Sequence, residues 1–206
     1  MSAAESTVFV IDDEPSVRKS LGRLLKAAGY RVEAFTSARE FLQRDPNVGV
    51  GCLVLDVQMP DLNGLELQRA LTETGRPVPI IFITGHGDIP MSVRAMKGGA
   101  IDFLSKPFDA KDLLEAIARA LATAQLQSTH RAESDDVKRL LAILTPREHE
   151  VMLEVITGKP NKQIAAALGT SEKTVKVHRG RVMHKLAVQS VADLVRLCEK
   201  AGIRVP

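Results

Sequence analysis

A doubly wound α/β domain with a five-stranded parallel sheet, followed by a small all-α domain, is the fold class that this 206-residue sequence predicts. Three observations predict it. Short, nearly continuous apolar runs alternate with stretches of helical period over the first ~120 residues. The second half has no strand signal, and Thr, Ser, Pro and Gly punctuate four short helical stretches there. Charge divides along the same line. Residues 1–127 carry 14 Lys+Arg against 16 Asp+Glu, a net of −2, whereas residues 128–206 carry 14 against 9, a net of +5.

In chain order, strands are expected at Val8–Ile11, Val32–Phe35 (a weaker run), Cys52–Leu55, Ile80–Ile83 and Phe103–Leu104. Runs this short and this uniformly apolar suit strands covered on both faces. Between the first two, Val17, Leu21, Leu24, Leu25 and Ala28 form a helical stripe ended by Gly29. Leu113, Leu114, Ile117 and Leu121 form the stripe that closes the domain at about residue 122. Residues 123–142 read as a linker, partly helical because "ATAQLQSTHRAESDD" contains neither Pro nor Gly. The all-α domain takes residues 143–206. Thr145, Pro146 and Glu148 fit N-cap, N1 and N3 of a capping box, and Gly158 ends that helix. Asn161 is expected to cap the next helix, with Ile164, Ala165 and Leu168 on one stripe and Gly169 as its stop. Ser171 caps a third, "EKTVKVHRGRVMHKL". Two helices joined by a short Gly-containing turn, the second rich in bases, fit helix-turn-helix geometry.

Several function classes drop out. No apolar run approaches the ~18 residues of a membrane helix. The stretch "MSAAESTVFV" lacks the basic region and apolar core of a secretion signal. Cys52 and Cys198 lie far apart in apolar settings, as reduced buried thiols do. No Gly-rich phosphate loop follows the first strand, which argues against nucleotide binding.

In an open parallel sheet, functional residues gather outside the carboxyl ends of the strands. Asp12 and Asp13 follow the first strand there, Asp56 the third and Thr84 the fourth, and Lys106 comes just after the fifth. Carboxylates crowded together repel, and a hard divalent cation such as Mg²⁺ relieves them through oxygen ligands. Asp56 is then placed to attack phosphorus and form an aspartyl phosphate. Lys106 would neutralise the transferred phosphoryl group and Thr84 would hydrogen-bond it.

The motifs "IDDE", "LVLDVQMPDLNG", "FITGHGD" and "AIDFLSKPF" resemble the receiver domain, of flavodoxin-like fold, of two-component response regulators. The resemblance implies Asp56 as phosphoacceptor. It implies Asp12, Asp13, Asp56 and the backbone carbonyl of Gln58 as ligands for Mg²⁺ (or Mn²⁺). Thr84 and Phe103 become the switch pair, with Lys106 beside the phosphoryl group ahead of a cis bond to Pro107. Glu14 reads as a helix N-terminal charge beside Pro15 rather than as a ligand. The alternative is an aspartyl-phosphate enzyme of haloacid dehalogenase type. That chemistry needs a second Asp two residues beyond the nucleophile, where this chain has Gln58.

In the basic half, Val155 to Gln189 hold seven bases against one acid, Glu172. No Trp, Tyr or Phe follows Phe108, which favours a duplex over stacked single strands. On a helical wheel with Val175 at 0°, Val182 and Leu186 face the core. Lys173, Val177, Gly180 and His184 fall between about 140° and 200°, flanked by Lys176 and Arg181 near about ±110°. Arg179, near about 40°, is expected to pack its stem and extend its head. "NKQIAAALGTSEKTVKVH" resembles the LuxR-type DNA-binding domain of the NarL/FixJ class, over roughly Leu144 to Gly202. DNA contacts are therefore expected from Lys162, Lys173, Thr174, Lys176, Val177, Arg181, His184 and Lys185. Gly180 departs from the pattern, since a side chain is expected on that outward face.

Together the resemblances imply a bacterial, cytoplasmic, non-enzymatic transcription regulator with no membrane partner. A sensor histidine kinase would phosphorylate it, and it would act on double-stranded promoter DNA, with RNA polymerase as a further partner. Homodimerisation on phosphorylation would use roughly Ile89–Phe103. A receiver coupled to a protein-binding output is the remaining alternative, separable by the salt dependence of duplex binding.

Overall fold

The carboxyl ends of four neighbouring strands are brought to one edge by a sheet whose strands all run the same way. In the computed structural model, residues 6–44, 50–60, 62–75, 78–85 and 89–203 are described. The motif residues Asp61 and 86–88 lie outside them. The strands are β1 (Thr7–Ile11), β2 (Arg31–Phe35), β3 (Gly51–Asp56), β4 (Ile80–Thr84) and β5 (Asp102–Ser105), ordered β2-β1-β3-β4-β5. Each neighbouring pair is parallel, and the register pairs Ile11 with Leu55, Asp56 with Ile83, and Thr84 with Ser105. The chain leaves β1 for one edge and returns to β3 on the other side. That reversal opens the crevice where ligands of such sheets sit.

Alternation along the strands splits the core into two layers. Phe9, Ile11, Leu53, Leu55 and Phe82 pack with α2 (Ala38–Gln43), α3 (Gly64–Glu73) and α4 (Ile89–Lys97). Val8, Val10, Cys52, Val54, Ile81 and Ile83 pack on the opposite face against α1 (Pro15–Ala27) and α5 (Ala110–Leu141), chiefly through Leu21, Leu25, Leu113 and Ile117. Pro15 opens α1 at N1, and an Asn63–Glu66 capping box opens α3. Gly64 is the residue that lets α3 begin so close to the sheet. A Cβ there would lie 2.5 Å from the Asp56 carbonyl oxygen.

The chain divides into residues 1–128 and 129–206. In the second unit, α6 (Pro146–Ile156), α7 (Asn161–Ala167), α8 (Glu172–Lys185) and α9 (Val191–Lys200) bury Val151, Met152, Val155, Ile164, Val175, Val182 and Leu194. α5 continues through most of the stretch read as a linker, and its Val137 and Leu141 join this core. Thr145 and Glu148 form the capping box of α6, and Ser171 accepts from the Thr174 N–H at the start of α8. Asn161 departs from expectation. The extended residue before α7 is Pro160, so Asn161 is already helical, and its Oδ1 accepts from Arg179 Nη1 at 3.1 Å. The head of Arg179 is thus tied to α7 rather than extended outward. No helix among the described residues is long and apolar enough to cross a membrane.

Glu148 does two jobs. Its Oε2 accepts from the Thr145 N–H at 2.9 Å, and the Lys185 ammonium sits 2.6 Å from the same oxygen, joining α6 to the end of α8. The Lys185 contact, helped by the Thr145 hydrogen bond, lowers the Glu148 pKa from its ordinary 4.5 to about 2. A depressed carboxyl stabilises the fold above its unfolded pKa and loses that effect as pH falls through the folded one. Between pH 4.5 and 2, therefore, part of the decline in stability belongs to this residue. Glu148→Gln should flatten the dependence of melting temperature on pH across that window and lower the melting temperature at neutral pH. Parallel wild-type and variant curves would refute the assignment.

Candidate functional site

At the switch point the side chains that follow the strands converge. Asp12 and Thr84 are fully buried and Asp56 nearly so, while Asp13 is exposed. One carboxylate oxygen from each of Asp12, Asp13 and Asp56 lies within 4.8 Å of the others. Lys106 reaches between them, its Nζ 2.8 Å from Asp12 Oδ2 and 2.9 Å from Asp56 Oδ2. The Lys106 N–H also donates to the Thr84 carbonyl at 2.7 Å, which places the hydroxyl-bearing residue and the lysine side by side. The Lys106–Pro107 peptide bond is cis.

Backbone groups hold the carboxylates in place. The Glu14 N–H donates to Asp12 Oδ1 at 2.8 Å, and the Gln58 N–H donates to Asp56 Oδ1 at 3.1 Å. The Gln58 side chain is exposed. Burial raises the Asp56 pKa, against the hydrogen bonds from Lys106 and Gln58 that favour its charged form. Burial works against the charge of Lys106 as well, but its hydrogen bonds to Asp12 and Asp56 outweigh it and hold its pKa above the usual value. Phe103 is half-buried on β5 and packs with Phe82, ring centroids 6.4 Å apart. A buried, positioned carboxylate beside an ammonium and two further acids suits transfer of a group with several anionic oxygens.

The second unit presents a different surface. On α8, Val175 and Val182 are buried, while Lys173, Lys176, Val177, Gly180, Arg181 and His184 are exposed. Lys162 is exposed on α7. Thr174 is half-buried, with its hydroxyl 2.8 Å from Ser171 Oγ at the helix start. Lys185 is half-buried and committed to Glu148 and, at 3.4 Å, the Ile143 carbonyl. It is therefore a tie within the domain more than an outward charge.

Comparison with known proteins bears on both units. Residues 8–118 match the response regulator receiver domain family, and residues 142–198 match the luxR family of bacterial regulatory proteins. Nodulation protein W of Bradyrhizobium diazoefficiens is 48% identical over 202 residues, covering 98% of this chain and 89% of that one. The transcriptional regulatory protein FixJ of the same organism is 42% identical over 196 residues, covering 95% and 96%. Among solved structures, the response regulator StyR superposes with a TM-score of 0.75 at 51% identity, covering 96% of this chain and all of that one. The chain is a transcriptional response regulator. Its first unit is the receiver and its second a LuxR-type DNA-binding domain, and its family implies a histidine kinase as partner.

Two supports of the regulator's receiver site were not evident from the sequence. Arg18, on α1, donates from Nη1 to the Asp12 carbonyl at 2.6 Å and so braces the acidic loop from below. Six residues separate them, a spacing with no hydrophobic or capping signature. Gly64 is the other, since its bare Cα is needed only because α3 meets the end of β3. Removing the cation between two buried carboxylates leaves them mutually unpaired. Lys106→Met should therefore lower the regulator's stability at neutral pH by roughly 1–3 kcal/mol, the usual cost of orphaning a partly buried charge. Adding Asp12→Asn should recover part of that loss. Urea titrations of the two variants read this directly, and additive losses would contradict it.

Proposed function

We propose that Asp56 accepts a phosphoryl group from a phosphohistidine of the sensor kinase. We further propose that Asp12, Asp13, Asp56 and the Gln58 carbonyl hold Mg²⁺ or Mn²⁺ for that step. The convergence of three carboxylates and Lys106 at one crevice carries this reading. An Asp56 oxygen forms the new bond to phosphorus as the phosphorus–nitrogen bond breaks, and the electron pair leaves on the donor imidazole, which takes up a proton. Lys106, already within hydrogen-bond distance of Asp56, follows the incoming phosphoryl oxygens, and the Thr84 hydroxyl is the second donor to them. A divalent cation held by these residues would supply charge neutralisation for the transfer. An open groove of about 380 Å³, lined by Val17, Leu21, Leu24, Pro107 and Phe108, adjoins Lys106 and supports approach of the donor from that side.

Phosphorylation then favours a homodimer, which reads paired half-sites in promoter DNA and acts on RNA polymerase. Exposed Ile89, Val93 and Met96 on α4 support the dimer face, because apolar surface of that kind gains by being covered. Lys162, Lys173, Lys176 and Arg181 supply phosphate contacts that fix register, with Val177 and His184 on the outward face of α8. Lys185 is left out of this set by its tie to Glu148. In this reading the regulator works in the bacterial cytoplasm.

With acetyl phosphate and Mg²⁺, the full-length chain should be labelled and should shift to a dimer on sizing. Asp56→Asn should abolish both while leaving the fold intact by circular dichroism. Labelling that survives in the variant would move the phosphoacceptor elsewhere. Duplex binding should weaken steeply with salt, and Lys176→Ala and Arg181→Ala should each reduce the slope of log K against log salt by about 1. Unchanged slopes would remove these residues from the interface.

A further inference from the structure

Gln68 is a polar residue on the buried side of α3, a side it shares with Leu67 and Leu71. An amide removed from water costs free energy unless it is hydrogen-bonded. Gln68 Nε2 donates to the Ala95 carbonyl at 3.1 Å, 27 residues away on α4. That carbonyl belongs to the closing turn of α4. It also accepts from the Ala100 N–H at 3.1 Å, the Gly99 N–H donates to the Met96 carbonyl at 3.0 Å, and Gly99 takes the left-handed φ of 89° that such a helix end favours. Gly98 is under no such demand, because its φ lies outside the left-handed range. What excludes a side chain there is Gln68. A Cβ at position 98 would lie 2.5 Å from Gln68 Oε1 and 2.8 Å from its Cδ.

Little else holds α4. Ala95 is the one residue of this helix that is fully buried, Met91 is half-buried, and Ile89, Val93 and Met96 are exposed. One buried methyl group fixes a helix only weakly. We propose that the Gln68 amide, admitted by the missing side chain of Gly98, is the latch that fixes α4 on the receiver. By holding the Ile89–Val93–Met96 face in place, this positioning residue sets how tightly the phosphorylated chain pairs with a second copy. Without the latch, α4 occupies the pairing position in only a fraction of molecules, and the apparent affinity falls by that fraction. This inference rests on the reading of α4 as the dimer face.

The test uses the full-length chain labelled with acetyl phosphate, with dimerisation followed by analytical ultracentrifugation. Gln68→Ala should raise the dimer dissociation constant roughly threefold to tenfold, the weight of one hydrogen bond, while the extent of labelling stays that of wild type. Gly98→Ala should do the same, since its methyl group displaces the amide. The two effects should not add. In the Gln68→Ala background the space is free, so Gly98→Ala should raise the melting temperature there and lower it in wild type. Amide hydrogen exchange reads the latch locally. The Gly99 and Ala100 N–H groups should lose protection in Gln68→Ala, and those of Glu14 and Gln58 should keep theirs. Wild-type dimer affinity in both single variants would overturn the inference, as would additive effects or a melting temperature that Gly98→Ala moves the same way in both backgrounds. A labelled wild type that stays monomeric would bring down the dimer reading and this inference together.

Discussion

Three carboxylates and one ammonium at the end of a buried sheet set the terms for the receiver. Asp12 and Asp56 are removed from water, and with Asp13 they leave the crevice a net negative charge even after Lys106 is counted. At an effective dielectric of ~20, two such charges within 5 Å repel by on the order of 3 kcal/mol. Lys106 relieves this by lying between both, and backbone N–H groups of Glu14 and Gln58 take up one further lone pair on each carboxylate. What remains is an excess of negative charge that a dication would balance. The charge that would suit this crevice to a dication is thus also a source of instability.

That arrangement is a property of sheet topology before it is a property of any residue. Parallel strands put all their carboxyl ends on one side, and the reversal between β1 and β3 opens the space between them. Positions 12, 56, 84 and 106 then become neighbours although up to 94 residues separate them in the chain. The strands supply the precision, since every residue of β1, β3 and β4 is buried and none has slack in which to shift. The loops bearing the chemistry inherit that rigidity.

Much of this could be read from the sequence, for a definite reason. Residues on strand ends are positioned by the hydrophobic runs that precede them, so an apolar run followed by Asp or Thr shows both the strand and the rim. Helix starts in the second unit were equally legible at Thr145 and Ser171, whose caps act within three or four residues. Where the signal failed, the contact lay beyond the three or four residues over which a cap acts. Asn161 has the composition of a cap, but Pro160 already supplies the extended residue, which frees the amide to bind Arg179 eighteen residues away. Lys185 looked like another surface base because its partner, Glu148, is 37 residues distant and seemed fully occupied by its capping box. Arg18 and Gly64 act only once two elements have been packed together, and no local pattern records that.

The ties that fasten α8 have a consequence for how DNA is engaged. Arg179 anchors the helix to α7 from its middle, Lys185 anchors its end to α6, and Ser171 fixes its start. A helix pinned at three points has little freedom left to surrender on binding, so the entropic toll of ordering falls elsewhere. In the proposed contact of α8 with promoter DNA, the duplex rather than the helix would therefore have to adapt, and the flexibility of its base-pair steps would become part of what is recognised.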